Sequence, residues 1–216
     1  MKVFLIPGVG SDRRLFDNFT LDGHEIVYLD WLPFGKAKGL REYAEVMAKA
    51  INTDPPFALL GVSMGGMVAT EMAKLLHPEK TILVSSSKTH KEFPPKIKMF
   101  RAPRLHYLGG PGGMLKWFAL RMKFVLGTKG GGNSEVVTAM LKDTGNKHLR
   151  TSILAVMNWR NLEIHSSIVH IHGTKDWTLP HKYVKADHYI EGGSHLMIYD
   201  KAEEISTLVH QILDDK

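Results

Sequence analysis

The chain has 216 residues, of which 44% are hydrophobic and 23% charged, a composition typical of one globular domain and not of a disordered chain. Because it contains no cysteine, disulfides, thiolate metal sites and a cysteine nucleophile are excluded. We expect a cytoplasmic protein, since no apolar run approaches the roughly 18 to 20 residues that span a bilayer and no signal-peptide pattern follows Met1.

The first part of the chain alternates short apolar runs with amphipathic segments. Apolar runs bounded by Gly, Pro or polar residues predict strands at residues 3–6, 24–29, 57–62 and 81–84. Helical spacing of apolar residues predicts helices at residues 13–19, 40–51 and 64–76. Strands that alternate with helices predict a parallel sheet covered on both faces, with functional residues at the carboxyl ends of the strands.

The alternation stops at Lys88, where a stretch rich in glycine and proline begins. Within this stretch, residues 114–126 and 134–141 are predicted helices. We expect residues 88–147 to form a helical cap inserted into a core made of residues 1–87 and 148–216. The rest of the core is predicted as a helix at 147–159, strands at 168–171 and 188–190, and a helix at 201–213.

Positive charge is concentrated in and around this insert. Residues 88–150 contain thirteen Lys and Arg against three acidic residues, a net charge of +10 in a chain whose total is +6. The remainder of the chain therefore carries a net charge of −4. A basic insert on a mildly acidic body indicates attraction to an anionic substrate, carrier protein or membrane surface, although solubility alone would also explain it.

One short segment carries the signature of a serine nucleophile. Residues 61–66, GVSMGG, match G-x-S-x-G between a predicted strand and a predicted helix, which is the context that this motif requires. A turn this sharp would present the Ser63 hydroxyl outward and aim the Met64 N–H at its reaction site, as one donor of an oxyanion hole. Alone, the pentapeptide is also compatible with a glycine-rich turn that performs no chemistry.

A serine hydroxyl needs a positioned base, and two later loops offer a base and an acid. Asp176 follows the predicted strand 168–171, and His195 follows two glycines after the last predicted strand. A carboxylate on one ring nitrogen would fix the imidazole tautomer, so that the other nitrogen could take the serine proton. Each residue also has a simpler interpretation: Asp176 as a turn or helix-cap aspartate, and His195 as a surface histidine.

One further loop and one predicted strand also carry candidate site residues. The first predicted strand ends in a Gly-rich loop, residues 6–11, whose most suitable amide, that of Val9, would act with Met64 in the oxyanion hole. It could equally be a plain turn. His170 and His172 share one face of a predicted strand and could bind a metal, but the sequence shows no third ligand nearby.

Taken together, these motifs resemble the α/β-hydrolase superfamily over essentially the whole chain. The segments PGVG (7–10), GVSMGG (61–66), HGTKD (172–176) and GGSH (192–195) stand in the family order. The resemblance implies a three-layer α/β-hydrolase fold with a helical cap, an acyl substrate such as an ester, thioester or amide, and no metal or organic cofactor. It also implies the order serine, acid, histidine, which favours Asp176 over the alternative acid Asp30.

The sequence departs from the family pattern at its start. The first residues already resemble the family's third strand, so we expect about six mainly parallel strands. Pro7 replaces the histidine that often precedes the oxyanion glycine.

The predicted cap carries residues suited to contact a substrate. Apolar residues of the predicted cap, among them Trp117, Phe118 and Met122, are candidates to line an acyl pocket, although they could simply pack the cap. The chain is loosely similar to the pimeloyl-carrier-protein methyl-ester esterase branch, and an acyl chain on an acidic carrier would suit both the apolar and the basic residues. A non-catalytic binding protein on the same fold is the alternative, whereas the basic cluster lacks any nucleic-acid-binding motif.

Overall fold

The computed structural model describes residues 1–52, 54–95 and 132–215, and within them six strands form one sheet. The strands are β1 (Lys2–Ile6), β2 (Glu25–Tyr28), β3 (Phe57–Val62), β4 (Lys80–Val84), β5 (Ile168–Gly173) and β6 (His188–Ile190). Their order across the sheet is β2-β1-β3-β4-β5-β6, and every neighbouring pair is parallel. The predicted parallel sheet of about six strands is therefore confirmed.

Helices cover both faces of this sheet. In the described part of the chain they are α1 (Leu40–Ala48), α2 (Met64–Leu76), α3 (Gly132–Asp143), α4 (Asn146–Asn158), α5 (Met197–Asp200) and α6 (Ala202–Asp214). Short 3₁₀ turns lie at Arg13–Phe16, His90–Glu92 and His181–Tyr183. The sequence predicted a longer helix at residues 13–19, where the structure has only the turn Arg13–Phe16.

The hydrophobic core is divided in two by the sheet. Because successive side chains of a strand point to opposite faces, Val3 and Leu5 join one cluster while Phe4 and Ile6 join the other. The first cluster is covered by α3, α5 and α6, and the second by α1 and α2. These three layers confirm the predicted α/β class.

The order in which the chain adds strands to the sheet changes direction at β1. From β1 it crosses to β2 on one side, and it then returns to pair β3 on the other side, with Ile6 level with Gly61. The carboxyl ends of β1 and β3 thus flank a topological switch point, the place where open α/β sheets bind their ligands. The loop after β1 and the turn at Ser63 meet there.

The predicted helix at residues 114–126 of the insert lies outside the described residues. The described helix α3 places Met140 and Leu141 in the same cluster as Leu5 and Leu15, so this end of the insert packs on the core. The bounds of the cap, residues 88–147, stay a prediction.

Among the helices that the structure describes, none has the length and apolar character needed to cross a bilayer.

Candidate active site

Ser63 occupies a tight turn between β3 and α2. Its backbone has φ 54° and ψ −117°, a conformation that residues with a side chain rarely adopt. The Ser63 N–H donates to the Val84 carbonyl of β4 (3.0 Å), and the Ser63 carbonyl accepts the N–H groups of Gly66 (3.0 Å) and Met67 (3.2 Å). These bonds hold the strained turn, and the side chain of Ser63 stays partly exposed at the carboxyl end of the sheet.

His195 reaches Ser63 from the loop that follows β6. Its Nε2 lies 3.0 Å from Ser63 Oγ, which is hydrogen-bonding distance. Gly192 makes the turn of this loop with φ +69°, and the Ser194 hydroxyl donates to Asp200 Oδ2 (2.9 Å) in α5. The imidazole is 5% exposed, so the loop holds it against the sheet and out of bulk water.

Asp176 lies on the other side of the imidazole, in the turn after β5. Its Oδ2 is 2.7 Å from His195 Nδ1, and its Oδ1 accepts the backbone N–H groups of Thr178 and Leu179, both at 2.8 Å. The side chain is fully buried. The two backbone bonds fix the plane of the carboxylate, so one oxygen always faces His195.

The loops that carry Asp176 and His195 are packed against each other. The Lys175 N–H donates to the Gly193 carbonyl (2.9 Å), and a Cβ added to Gly173 would lie 2.2 Å from that same oxygen. A side chain at position 173 would therefore push the two loops apart. Gly173 and Gly193 allow the close approach that sets the separation of acid and base.

The tautomer of His195 follows from these contacts. A carboxylate only accepts hydrogen bonds, so the bond to Asp176 Oδ2 requires the proton on His195 Nδ1. The lone pair of Nε2 then faces Ser63 Oγ, which can donate its hydroxyl proton to it. The structure thus brings the three residues predicted from sequence into one continuous chain of hydrogen bonds.

The two histidines considered as metal ligands form part of the core behind this site. His170 and His172 are fully buried, and their rings meet edge to face at 5.3 Å. Burial lowers the pKa of both, and for His170 the nearby His172 and Lys88 lower it further. His172 Nε2 is 2.7 Å from the Leu179 carbonyl and donates to it. Within the described residues, no group of three His, Asp or Glu side chains is arranged to hold a metal.

The alternative acid does not take part in this hydrogen-bond chain. Asp30 lies just after β2 with an exposed side chain, whereas the carboxylate against His195 is that of Asp176. The family order of the motifs therefore selected the acid that contacts the histidine.

The predicted oxyanion loop passes directly beside the nucleophile. A Cβ added to Gly8 would lie 3.4 Å from Ser63 Cβ, so the residues that follow β1 border the Ser63 hydroxyl. Met64 is the first residue of α2, where an amide N–H has no acceptor within its own helix. The two predicted donors thus belong to segments next to the nucleophile, since Val9 follows Gly8 and Met64 follows Ser63.

Two residues that the sequence did not single out contact the backbone of this region. Trp31 Nε1 donates to the Gly8 carbonyl (3.2 Å), and Ser86 Oγ donates to the Ser63 carbonyl (2.7 Å). Both residues follow a strand of the sheet, at its carboxyl end, and that position is the only signal in the sequence that could have identified them. The predicted acyl-pocket residues Trp117, Phe118 and Met122 lie outside the described residues.

Comparison with known families identifies the class of protein that this fold and site define. The alpha/beta hydrolase family matches residues 3–208, and the chain belongs to this family. At the coarse level that family membership supports, the protein is a hydrolase. Among curated proteins, the chain has no match.

Solved structures with the same fold cover almost the whole chain. MenH from S. aureus has a TM-score of 0.77 at 15% identity, covering 100% of this chain and 94% of its own. A thermophilic esterase from Thermogutta terrifontis has a TM-score of 0.74 at 17% identity, covering 99% and 89%. An esterase from Exiguobacterium antarcticum has a TM-score of 0.70 at 17% identity, covering 99% and 92%. At such identities the likeness is one of fold.

Proposed function

We propose that the protein is a serine hydrolase that cleaves a carboxylic ester or thioester through a Ser63–His195–Asp176 triad and an acyl-enzyme. The observation that carries the proposal is that the His195 ring joins Ser63 Oγ, 3.0 Å from Nε2, to Asp176 Oδ2, 2.7 Å from Nδ1. These distances allow proton transfer without rearrangement. A binding protein would have no need for this alignment of donor and acceptor atoms.

Acylation uses each of the three side chains. His195 Nε2 takes the proton from Ser63 Oγ as that oxygen attacks the substrate carbonyl carbon, which gives a tetrahedral intermediate. Asp176 stabilises the imidazolium that forms and keeps its ring oriented. The intermediate collapses when His195 returns the proton to the leaving oxygen or sulfur, and the acyl group stays on Ser63.

Deacylation repeats these steps with water. His195 takes a proton from a water molecule, whose oxygen attacks the acyl carbon, and the proton then returns to Ser63 Oγ as the carboxylic acid leaves. The amides of Val9 and Met64 would hold the negatively charged oxygen in both intermediates. One such donor contributes about 3 kcal/mol of transition-state stabilisation.

Two features of the sequence support a proposal about the substrate. The apolar residues of the insert, including Trp117, Phe118 and Met122, would contact an acyl chain. The net charge of +10 in residues 88–150 would attract an acidic carrier protein that delivers this chain. An acyl group linked to such a carrier through an ester or thioester would match both features.

Hydrolysis of simple esters tests the proposal. In a panel of p-nitrophenyl esters and acyl thioesters of graded chain length, we expect wild type to turn over and Ser63→Ala to lose kcat by about 10⁴-fold or more. Ser167→Ala is the matched control, because Ser167 directly precedes the amino end of β5, away from the site, and its hydroxyl bonds Thr81 of β4 and His165.

Two results would oppose the proposal. Equal rates for Ser63→Ala and wild type would exclude Ser63 as the nucleophile. A wild-type protein that binds these acyl compounds without turning over any of them would favour the non-catalytic binding protein.

A further inference from the structure

Each of the two amides assigned to the oxyanion hole belongs to a peptide unit whose carbonyl accepts a side-chain hydrogen bond. Trp31 Nε1 donates to the Gly8 carbonyl, which shares a peptide unit with the Val9 N–H. Ser86 Oγ donates to the Ser63 carbonyl, which shares a peptide unit with the Met64 N–H. The same arrangement thus occurs at both predicted oxyanion donors.

The geometry of the peptide bond turns these contacts into a constraint on the donors. A trans peptide unit is planar, and its C=O and N–H point in opposite directions. A hydrogen bond that holds the carbonyl therefore also fixes the direction of the N–H. It polarises the unit as well, because hydrogen bonds in a chain strengthen one another.

We propose that Trp31 and Ser86 are positioning residues that orient and strengthen the Val9 and Met64 amides as oxyanion donors. The inference rests on the proposed function, since it concerns the same reaction and the same oxyanion. Neither side chain is assigned contact with the substrate. Both act through a backbone carbonyl on the side of the peptide unit remote from the reacting oxygen.

The indole of Trp31 is held in place from behind. It stacks on Tyr43, with ring centroids 5.9 Å apart, and Tyr43 stacks in turn on Phe34 at 3.7 Å. Tyr43 is fully buried in α1, and its hydroxyl donates to the Leu32 carbonyl (2.5 Å). The stack joins the β1 loop to α1. The direction of the Gly8 carbonyl is therefore set by the second hydrophobic cluster, on the α1 and α2 side of the sheet.

Ser86 is held just as firmly. It is fully buried after β4, and the preceding residue, Ser85, turns the chain with φ 49° while its N–H donates to the Ile171 carbonyl (3.1 Å). A Cβ added to Gly66 would lie 2.5 Å from Ser86 Oγ. The glycine at position 66 therefore leaves the space that the Ser86 hydroxyl occupies above the Ser63 carbonyl.

If the side-chain donor at Trp31 or Ser86 is removed, the carbonyl that it contacts still accepts a backbone hydrogen bond. The Gly8 carbonyl also accepts the Ser11 N–H (3.2 Å), and the Ser63 carbonyl also accepts two N–H groups from α2. We therefore expect Trp31→Phe and Ser86→Ala to fold, because neither change leaves a buried carbonyl without a donor. What each change removes is one constraint on the direction and polarity of the peptide unit.

The test separates transition-state stabilisation from substrate binding. We expect each variant to lower kcat by about tenfold, a fraction of the 10²–10³-fold caused by loss of a complete donor, with KM within about twofold of wild type. The inhibition constant of a trifluoromethyl ketone should rise by the same factor as kcat falls. This inhibitor forms a tetrahedral oxyanion on the serine and therefore reports on the hole itself.

Two matched variants act as controls. Ser87→Ala removes a neighbouring, equally buried hydroxyl that has no hydrogen-bond partner among the described residues. Trp159→Phe removes an indole N–H that bonds Glu71 (2.7 Å) in α2, remote from both oxyanion peptides. Both controls should keep the wild-type kcat and inhibition constant, with thermal unfolding recorded for all four proteins.

The outcomes distinguish this inference from the proposed function. If wild type is active and Ser63→Ala is not, yet Trp31→Phe and Ser86→Ala match the controls in kcat and in inhibition, the positioning role is refuted and the triad stands. If wild type is inactive towards every ester and thioester, both proposals fail. Should Trp31→Phe not fold, Ser86→Ala decides the question through the same two measurements.

Discussion

Asp176→Asn is expected to lower kcat by about 10⁴-fold while the protein stays folded. In the native turn, Oδ1 of Asp176 accepts two backbone N–H groups, those of Thr178 and Leu179. An asparagine must present its carbonyl oxygen to these two donors, because its NH₂ group cannot accept from them. The amide nitrogen then faces His195.

This forced orientation reverses the tautomer of the histidine. A donor at the position of Oδ2 requires an acceptor at His195 Nδ1, which places the ring proton on Nε2. An Nε2–H facing Ser63 Oγ cannot take the serine proton, and general-base catalysis is lost. The substitution changes one atom of the side chain and leaves its packing intact.

Steady-state kinetics on the most reactive ester of the panel measure this effect. Asp187→Asn is a matched control, because it makes the same chemical change at a carboxylate that accepts the His170 backbone N–H, away from the Ser63 hydroxyl. We expect that variant to keep the wild-type kcat. A loss of less than tenfold in Asp176→Asn would mean that Asp176 does not set the tautomer of His195.

Gly65→Ala is expected to lower the free energy of unfolding by about 3 kcal/mol or more. A Cβ at position 65 would lie 2.2 Å from the Ile6 carbonyl oxygen and 2.3 Å from that of Pro7. Both atoms are backbone at the end of β1, so they can move away only if the strand or α2 shifts. Such a shift would separate the β1 loop from the nucleophile turn.

Chemical denaturation measures this loss. Gly145→Ala is the matched control, because nothing lies within 4 Å of a Cβ added there and its φ of −62° suits alanine. Since Gly145 is the N-cap of α4 and alanine is a weaker N-cap than glycine, we expect this control to lose no more than about 1 kcal/mol. An unfolding midpoint of Gly65→Ala equal to that of wild type would contradict the close packing of α2 on β1.

The sequence predicted the centre of the fold better than its margins. Strand β3 and helix α2 begin and end where predicted, because the run 57–62 is apolar throughout and the Gly-rich turn at Ser63 separates it from the helix. Helix α1 was predicted to extend to Ile51 but ends at Ala48. The residues that follow it form tight turns, in which the Ile51 N–H donates to the Ala48 carbonyl. Spacing alone does not distinguish such turns from a helix.

The three side chains of the site could be predicted because each follows a strand in a recognisable motif. The supporting residues could not. Trp31 is 23 residues from Gly8 in sequence, and only the parallel pairing of β1 with β2 brings the two loops together. Ser86 lies within a run of three serines, and the fold alone determines which of them bonds Ser63.

Covalent labelling of the serine tests the central claim most directly. A fluorophosphonate reacts with a serine whose proton is taken by a neighbouring base, and peptide mass spectrometry locates the adduct. We predict a single adduct on Ser63 in the wild-type protein and none in Ser63→Ala. In His195→Ala the adduct should form at least about 10³-fold more slowly. A folded wild-type protein that gives no adduct, or gives it on another residue, would contradict the account.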